Sequence, residues 1–267
     1  MATKRFRADD LLVQRGLAES RSQARAIILA GQVRSGTRVI DKAGYPLDVD
    51  AELTVIEAPR FVSRGGEKLE HALQSFAVDA TDLCCADFGA STGGFTDVLL
   101  QHGAAHIFAV DVGYGQLAYR LLSDERVTVL DRTNARHLEN LPEPVDLVTI
   151  DVSFISLALV LPAARRVLKP DGCVIALIKP QFEAGKERVG KGGVIRDSRV
   201  HRDVLRHVLT VADEIGFRAL GLTASPITGP AGNVEFLAYL TLRDGDPADV
   251  GRLVEDAMRS VPTKSSA

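Results

Sequence analysis

Between residues 81 and 242 the chain alternates short apolar runs with amphipathic stretches, and this rhythm limits what it can fold into. Runs over 83–88, 106–110, 127–130, 145–150, 173–178, 219–223 and 234–242 have the length and side chains of buried strands. Helical spacing fills 93–102, 115–123, 156–168 and 199–215. Strand alternating with helix predicts an α/β domain: a mostly parallel, doubly wound sheet of seven strands, with a ligand crevice at the carboxyl ends of the central ones. The last two strands follow one another without a helix, which predicts an antiparallel hairpin at one edge.

A composition of 46% hydrophobic and 25% charged residues, with net charge −3 over 267 residues, excludes a disordered chain, a coiled coil or a collagen-like repeat. No apolar run approaches the ~20 residues of a bilayer span. The opening Met1-Ala-Thr-Lys-Arg-Phe-Arg lacks an apolar signal core, so the expected location is cytoplasmic. Cys84, Cys85 and Cys173 lie in apolar runs as small buried side chains, and the histidines are scattered, so no metal is expected.

Charge is uneven along the chain. Residues 4–38 hold eight basic side chains against three acidic ones, which suits a polyanionic partner, although a solvated helical face would look the same. Residues 8–18 read as a short helix with Leu11 and Leu12; Ser20 caps a second helix carrying Ala24, Ile27 and Ile28 to Gly31. Short strands at 32–34, 37–40 and 52–56 complete a small α+β unit. The expected division is 1–58 for this unit, a linker over 59–62 marked by Pro59, a main domain over 63–245 and a C-terminal tail over 246–267. The stretch opening Arg7-Ala-Asp-Asp-Leu-Leu and closing Ala30-Gly-Gln-Val33 resembles the small RNA-binding domain shared by a primary-binding ribosomal protein of the small subunit, pseudouridine synthases and tyrosyl-tRNA synthetases. The resemblance implies a basic face laid on RNA phosphates by Arg5, Arg7, Arg21, Arg25 and Arg34, contacts that position RNA without reading its sequence.

The first strand of the main domain runs into Asp87-Phe-Gly-Ala-Ser-Thr-Gly-Gly-Phe-Thr-Asp97. Small residues between strand and helix let a backbone approach a ligand closely. The spacing is neither G-x-G-x-x-G nor a P-loop, because Phe95 follows Gly94. It resembles the S-adenosylmethionine loop of class I methyltransferases, Rossmann-like in fold. Asp111, closing the second strand, is placed to accept from ribose hydroxyls; Asp131, closing the third, could serve the adenine or cap a loop.

Asp151 and Lys179 close the fourth and fifth strands, and Glu235 opens the last, antiparallel one, so all three should meet at one sheet edge. Lys68 stands on a preceding helix, with Ser63 as its expected cap and Leu69, Leu73 and Phe76 as its apolar stripe. Taken singly each could be a surface ion pair. Together, in this chain order, they resemble the Lys-Asp-Lys-Glu tetrad of FtsJ-type ribose 2′-O-methyltransferases.

Ser63-Arg-Gly-Gly-Glu-Lys-Leu, Asp111-Val-Gly-Tyr-Gly-Gln-Leu, Arg132-Thr-Asn-Ala-Arg, Asp151-Val-Ser-Phe-Ile-Ser-Leu, Lys179-Pro-Gln-Phe-Glu and Gly232-Asn-Val-Glu-Phe are similar to the motifs of the TlyA, or hemolysin A-like, family. Some members have tryptophan where this chain has Phe61. The resemblance implies 2′-O-methylation of cytidines in 23S and 16S ribosomal RNA, with ribosomal RNA or ribosomal subunits as partner and S-adenosylmethionine as cofactor. It further implies Lys68, Asp151, Lys179 and Glu235 as catalytic residues, and Asp87, Gly89, Ala90, Ser91, Thr92, Gly93, Gly94, Phe95, Asp111, Val112, Asp131 and Asp151 around the cofactor. Arg64 and the loop residues Lys186, Arg188 and Lys191 are candidates for RNA phosphates, and Phe182 for stacking on an extruded base; an ordinary surface loop over 185–193 would carry similar charge. In-line methyl transfer needs alignment, which supplies ~7–11 kcal/mol in favourable systems. Lys179 either takes the hydroxyl proton or orients the hydroxyl, since a free lysine, with a reference pKa of ~10.4, is mostly protonated at neutral pH. Two rival readings remain at this point: a membrane-acting hemolysin, for which 249–260 is the amphipathic candidate, and an RNA-binding scaffold without catalysis.

Overall fold

The computed structural model describes residues 5–56, 59–190, 192–243, 245 and 249–262, with the backbone alone at 186. The chain forms two compact units, Met1–Arg60 and Phe61–Ala267. In the first, β1 (Arg5–Arg7) leads into α1 (Ala8–Gln14), α2 (Arg21–Leu29), β2 (Val33–Ser35), β3 (Arg38–Val39), β4 (Pro46–Asp48) and β5 (Leu53–Val55). β1 pairs antiparallel with β4, and β2 lies between β3 and β5. Ser20 Oγ accepts from the Gln23 amide at 3.2 Å, capping α2 as its position predicts. Leu11, Leu12, Ala24, Ile28, Val33, Ile40 and Leu47 form the core.

The second unit runs α3 (Gly65–Phe76), β6 (Cys84–Phe88), α4 (Gly94–Gln101), β7 (His106–Val110), α5 (Tyr119–Leu122), β8 (Val127–Leu130), β9 (Val145–Ile150), α6 (Leu161–Val167), β10 (Leu168–Ile178), α7 (Pro180–Glu183), α8 (Ser198–Ile215), β11 (Arg218–Ala224), β12 (Phe236–Thr241) and α9 (Val250–Arg259). Its seven strands lie in the order β11-β12-β10-β9-β6-β7-β8. β12 is antiparallel to both neighbours and the other pairs are parallel, so the expected hairpin is present. One buried cluster, with Phe88, Val148, Leu205 and Phe236, covers one face; a second, with Leu69, Val98, Ile107 and Leu237, covers the other. Alternate residues of a buried strand face opposite ways, so adjacent Cys84 and Cys85 belong to different clusters.

Four expectations need correction. The tail over 246–267 contains α9, which Asp249 caps through the Arg252 amide and whose Val254 and Ala257 are buried. The amphipathic stripe is spent inside the fold. The linker over 59–62 includes Phe61, which is buried in the second unit's core; Gly66 makes room for it, since a Cβ there would lie 2.4 Å from the Phe61 ring. Ser63 does not cap α3: Arg64 is the cap residue, without a side-chain bond, and the Gly66 amide donates to the Ser63 carbonyl. The helix over 156–168 is a 3-10 turn at Leu157–Leu159 followed by α6, because Pro162 has no N–H to continue a helix through it and suits a first turn instead.

Candidate active site

The loop after β6 is shaped by a buried carboxylate. Asp87 Oδ2 accepts from the amide and hydroxyl of Thr96 at 2.9 and 2.7 Å, and Oδ1 accepts from Thr149 Oγ1 at 3.0 Å. This staples the first turn of α4 to β6 and β9. Complete burial pushes the Asp87 carboxyl up to about 6, against the opposing bonds from Thr96 and Thr149 and with help from the Asp151 charge. Asp87 therefore supports the loop from beneath and lines neither cavity described below. Gly89 has φ +86°, and a Cβ there would sit 2.6 Å from the Asp151 carbonyl oxygen, so only glycine lets this turn close on β9.

Two adjoining cavities, of about 420 and 470 Å³, open at the carboxyl ends of the central strands and share Gly89, Ser91, Asp151 and Ser153. The first is also lined by Ala90, Thr92, Gly94, Phe95 and Arg64, together with all four tetrad candidates. Gly93 packs instead toward Leu117 and Leu121. Lys179 Nζ lies 2.6 Å from Asp151 Oδ1 and 2.9 Å from Ser153 Oγ; Lys68 Nζ lies 2.5 Å from Glu235 Oε2. Lys68, Lys179 and Glu235 are 9% exposed or less, so the ammonium groups are held by paired carboxylates in a poorly hydrated pocket. Two charges of each sign cancel, which lets four ionic groups share one cavity.

The second cavity takes in Asp111, Val112, Gln116, Asn134, Arg136 and Phe154. Asp111 accepts the Ser91 and Gly113 amides at 2.8 and 2.7 Å, one on each oxygen, which leaves each oxygen a further lone pair. Asp131 accepts from the Gly115 amide at 3.0 Å and stands outside both linings. Phe154, 89% exposed with φ +63°, sets its ring 4.8 Å from that of Phe182. Neither Ser153 nor Phe154 stands out in the sequence as a site residue; the hint was their place just past a strand end that carries Asp151. Among the described residues no group of three or more His, Cys, Asp or Glu is placed to hold a metal ion.

The basic candidates are organised differently from a row of independent charges. Asp9, fully buried, receives Arg7 Nε and Nη2 at 3.0 and 3.1 Å and Arg25 Nε at 3.2 Å, with Arg21 Nη2 at 3.6 Å. Hydrogen bonds from Arg7 hold its carboxyl down to about 2, against burial and with further help from Arg25 and Arg21. Each guanidinium stays about half exposed, so a single buried anion presents three arginines on one surface. Arg5 pairs with Asp48 and Arg188 with Asp203; Arg34 is exposed on β2. The Lys186 side chain and Lys191 lie outside the described residues.

Asn233, buried just before β12, ties the loop over 185–193 to this region: its Oδ1 accepts from the Ile195 amide at 2.9 Å and its Nδ2 donates to the Gly193 carbonyl at 2.8 Å.

Residues 61–242 match the model of the FtsJ-like methyltransferases, and residues 6–53 that of the S4 domain. The chain is 48% identical over 259 residues to the 16S/23S rRNA (cytidine-2′-O)-methyltransferase TlyA of Mycobacterium tuberculosis, covering 96% of each chain. It is 47% identical over 280 residues to YqxC of Bacillus subtilis, named as a candidate rRNA methyltransferase, covering 100% of this chain and 99% of that one. A solved structure described as a candidate hemolysin from Streptococcus thermophilus matches with a TM-score of 0.72 at 43% identity, over 97% of this chain and 98% of that one. The chain therefore belongs to the TlyA, hemolysin A-like group of FtsJ-like methyltransferases, with an N-terminal S4 domain.

Proposed function

We propose that this protein methylates cytidine ribose 2′-hydroxyls of ribosomal RNA, in 23S and 16S RNA, using S-adenosylmethionine in the cytoplasm. The observation that carries the reading is the convergence of Lys68, Asp151, Lys179 and Glu235, from four separate elements, on one cavity. The adjoining cavity fits an adenosyl group: spare lone pairs of Asp111 for ribose hydroxyls, Asn134 and Gln116 as polar partners, and Val112, Ile155 and Val160 as apolar wall. S-adenosylmethionine supplies an activated methyl when bound. The protein then has to align the ribose oxygen with it and manage one proton. Lys179, held by Asp151, acts on the hydroxyl at its Nζ; Lys68, held by Glu235, adds positive charge in the same cavity. The S4 domain supports RNA as the partner, with the arginines gathered on Asp9 as its phosphate contacts. Phe154 and Phe182 offer an aromatic face beside Lys179 for an unstacked base.

The stretch over 249–260, the candidate for the membrane-acting reading, contains α9. Among the described residues no helix is long and apolar enough to cross a bilayer, and the apolar face of α9 is buried in the core. The test is Lys179→Ala assayed on unmethylated ribosomal subunits. Methylation should fall at least a thousandfold while calorimetric affinity for S-adenosylmethionine stays within about threefold. Full activity in that variant would overturn the assignment. Mapping ribose methylation in ribosomes of a deletion strain and its complemented parent identifies the nucleotides.

A further inference from the structure

Lys179 stands just beyond β10 with one contact to a carboxylate and one to a hydroxyl: Asp151 Oδ1 at 2.6 Å and Ser153 Oγ at 2.9 Å. An ammonium group has three N–H donors at tetrahedral angles. A single anchor would leave the other two free to rotate about it. A second contact, the Ser153 hydrogen bond beside the Asp151 ion pair, restricts that rotation. Lys68, which lines the same cavity, is held by Glu235 at 2.5 Å, so the hydroxyl anchor distinguishes Lys179.

We propose that Ser153 is a positioning residue for methyl transfer: its hydroxyl accepts from Lys179 and so holds Nζ where it donates to the ribose 2′-oxygen, which attacks the methyl through its other lone pair as the sulfur–methyl bond breaks and gives up its proton to water. This rests on the ribose-methylation reading above and adds what orients its central lysine.

The backbone around Ser153 is built to hold a fixed point. Before it, the Asp151 amide donates to the Phe88 carbonyl at 2.9 Å, and Gly89 closes against the Asp151 carbonyl. After it, the Phe154 ring rests against Phe182, and Ser156 Oγ and the Leu157 amide donate to the Glu183 carboxylate at 2.6 and 2.8 Å. Residues 151–157 and 179–183 are thus joined by successive contacts, with the Lys179 pair at one end and Glu183 at the other. An anchor on such a segment does not drift with the amine it holds. Ser153 also lines both cavities, so it lies on the wall between the proposed nucleotide and cofactor sites.

The experiment compares Ser153→Ala, Ser153→Thr and Lys179→Ala with wild type in the full-length protein, on unmethylated ribosomal subunits. Because Ser153 is exposed, the alanine variant should keep the wild-type melting temperature. Its kcat should fall about ten- to hundredfold, as expected for a misaimed reacting group. KM for the subunit and calorimetric affinity for S-adenosylmethionine should stay within about twofold, and Ser153→Thr, which keeps the hydroxyl, should recover most of the rate. An alanine variant with full kcat, a loss confined to cofactor affinity, or a threonine variant no faster than alanine would each overturn the role. Wild-type protein inactive on these subunits would instead overturn the ribose-methylation reading, and the positioning role with it.

Discussion

Asp9 and Asp87 are both buried aspartates, yet their surroundings drive them in opposite directions. Asp9 is depressed to about 2 because arginines donate to it; Asp87 is raised to about 6 because burial outweighs neutral donors. The linkage signs differ accordingly. A depressed carboxyl stabilises the fold above its unfolded value near ~4, and that contribution is lost as pH falls from about 4 toward about 2. A raised carboxyl contributes below about 4, and that contribution is lost as pH rises from about 4 through about 6. Asp9→Asn should therefore remove an acid-dependent loss of stability on the order of 1 kcal/mol, allowing for solvent screening of the half-exposed arginines. Asp87→Asn should remove a destabilisation on the order of 3 kcal/mol that wild type develops between pH 4 and pH 7. Denaturant unfolding of both variants against wild type across pH 2–7, with a probe in each unit, checks the pair; parallel pH profiles for wild type and variant would refute either assignment.

At the scale of elements, buried strands were the most legible feature. Their apolar runs are bounded sharply by turns, and the observed β7, β8 and β9 coincide with the expected 106–110, 127–130 and 145–150. Helices on the surface of the sheet were less so: of the stretch over 115–123 only Tyr119–Leu122 is helical, because the preceding glycines and Asp111 form a turn whose job is to wrap the second cavity. Site residues at strand ends were legible for the same reason as the strands, since parallel topology alone gathers Asp151 and Lys179. Ser153, Phe154 and Asn233 were not, because their roles depend on partners 26, 28 and 38 residues away in sequence that no local pattern specifies. Asn233 gives a prediction at this scale. Its amide holds both Gly193 and Ile195 beside Glu235, just ahead of β12, so Asn233→Ala should loosen the basic loop. KM for the ribosomal subunit should rise several-fold with cofactor affinity unchanged, read by steady-state kinetics and calorimetry; an unchanged KM would detach the loop from substrate binding.

Across the whole molecule the charge is divided: a net of −3 overall, with a basic excess concentrated in residues 4–38. RNA affinity should accordingly fall with salt in proportion to the phosphates neutralised. Removing one arginine of the Asp9 cluster by Arg25→Ala should lower affinity uniformly across RNA sequences and reduce the slope of log K against log salt by about 0.7–0.9. A filter-binding series over several salt concentrations measures it, and an unaltered slope would show that Arg25 meets no phosphate. The position of β12 has a further consequence. It lies between β10 and β11 in the sheet but follows both in the chain, and Glu235 immediately precedes it. Without β12, β10 would have one side unpaired and Lys68 would lack the carboxylate that holds it. On the methyl-transfer reading, a copy with the rest of its hydrophobic framework in place would stay inert until β12 closes the sheet and brings Glu235 to Lys68.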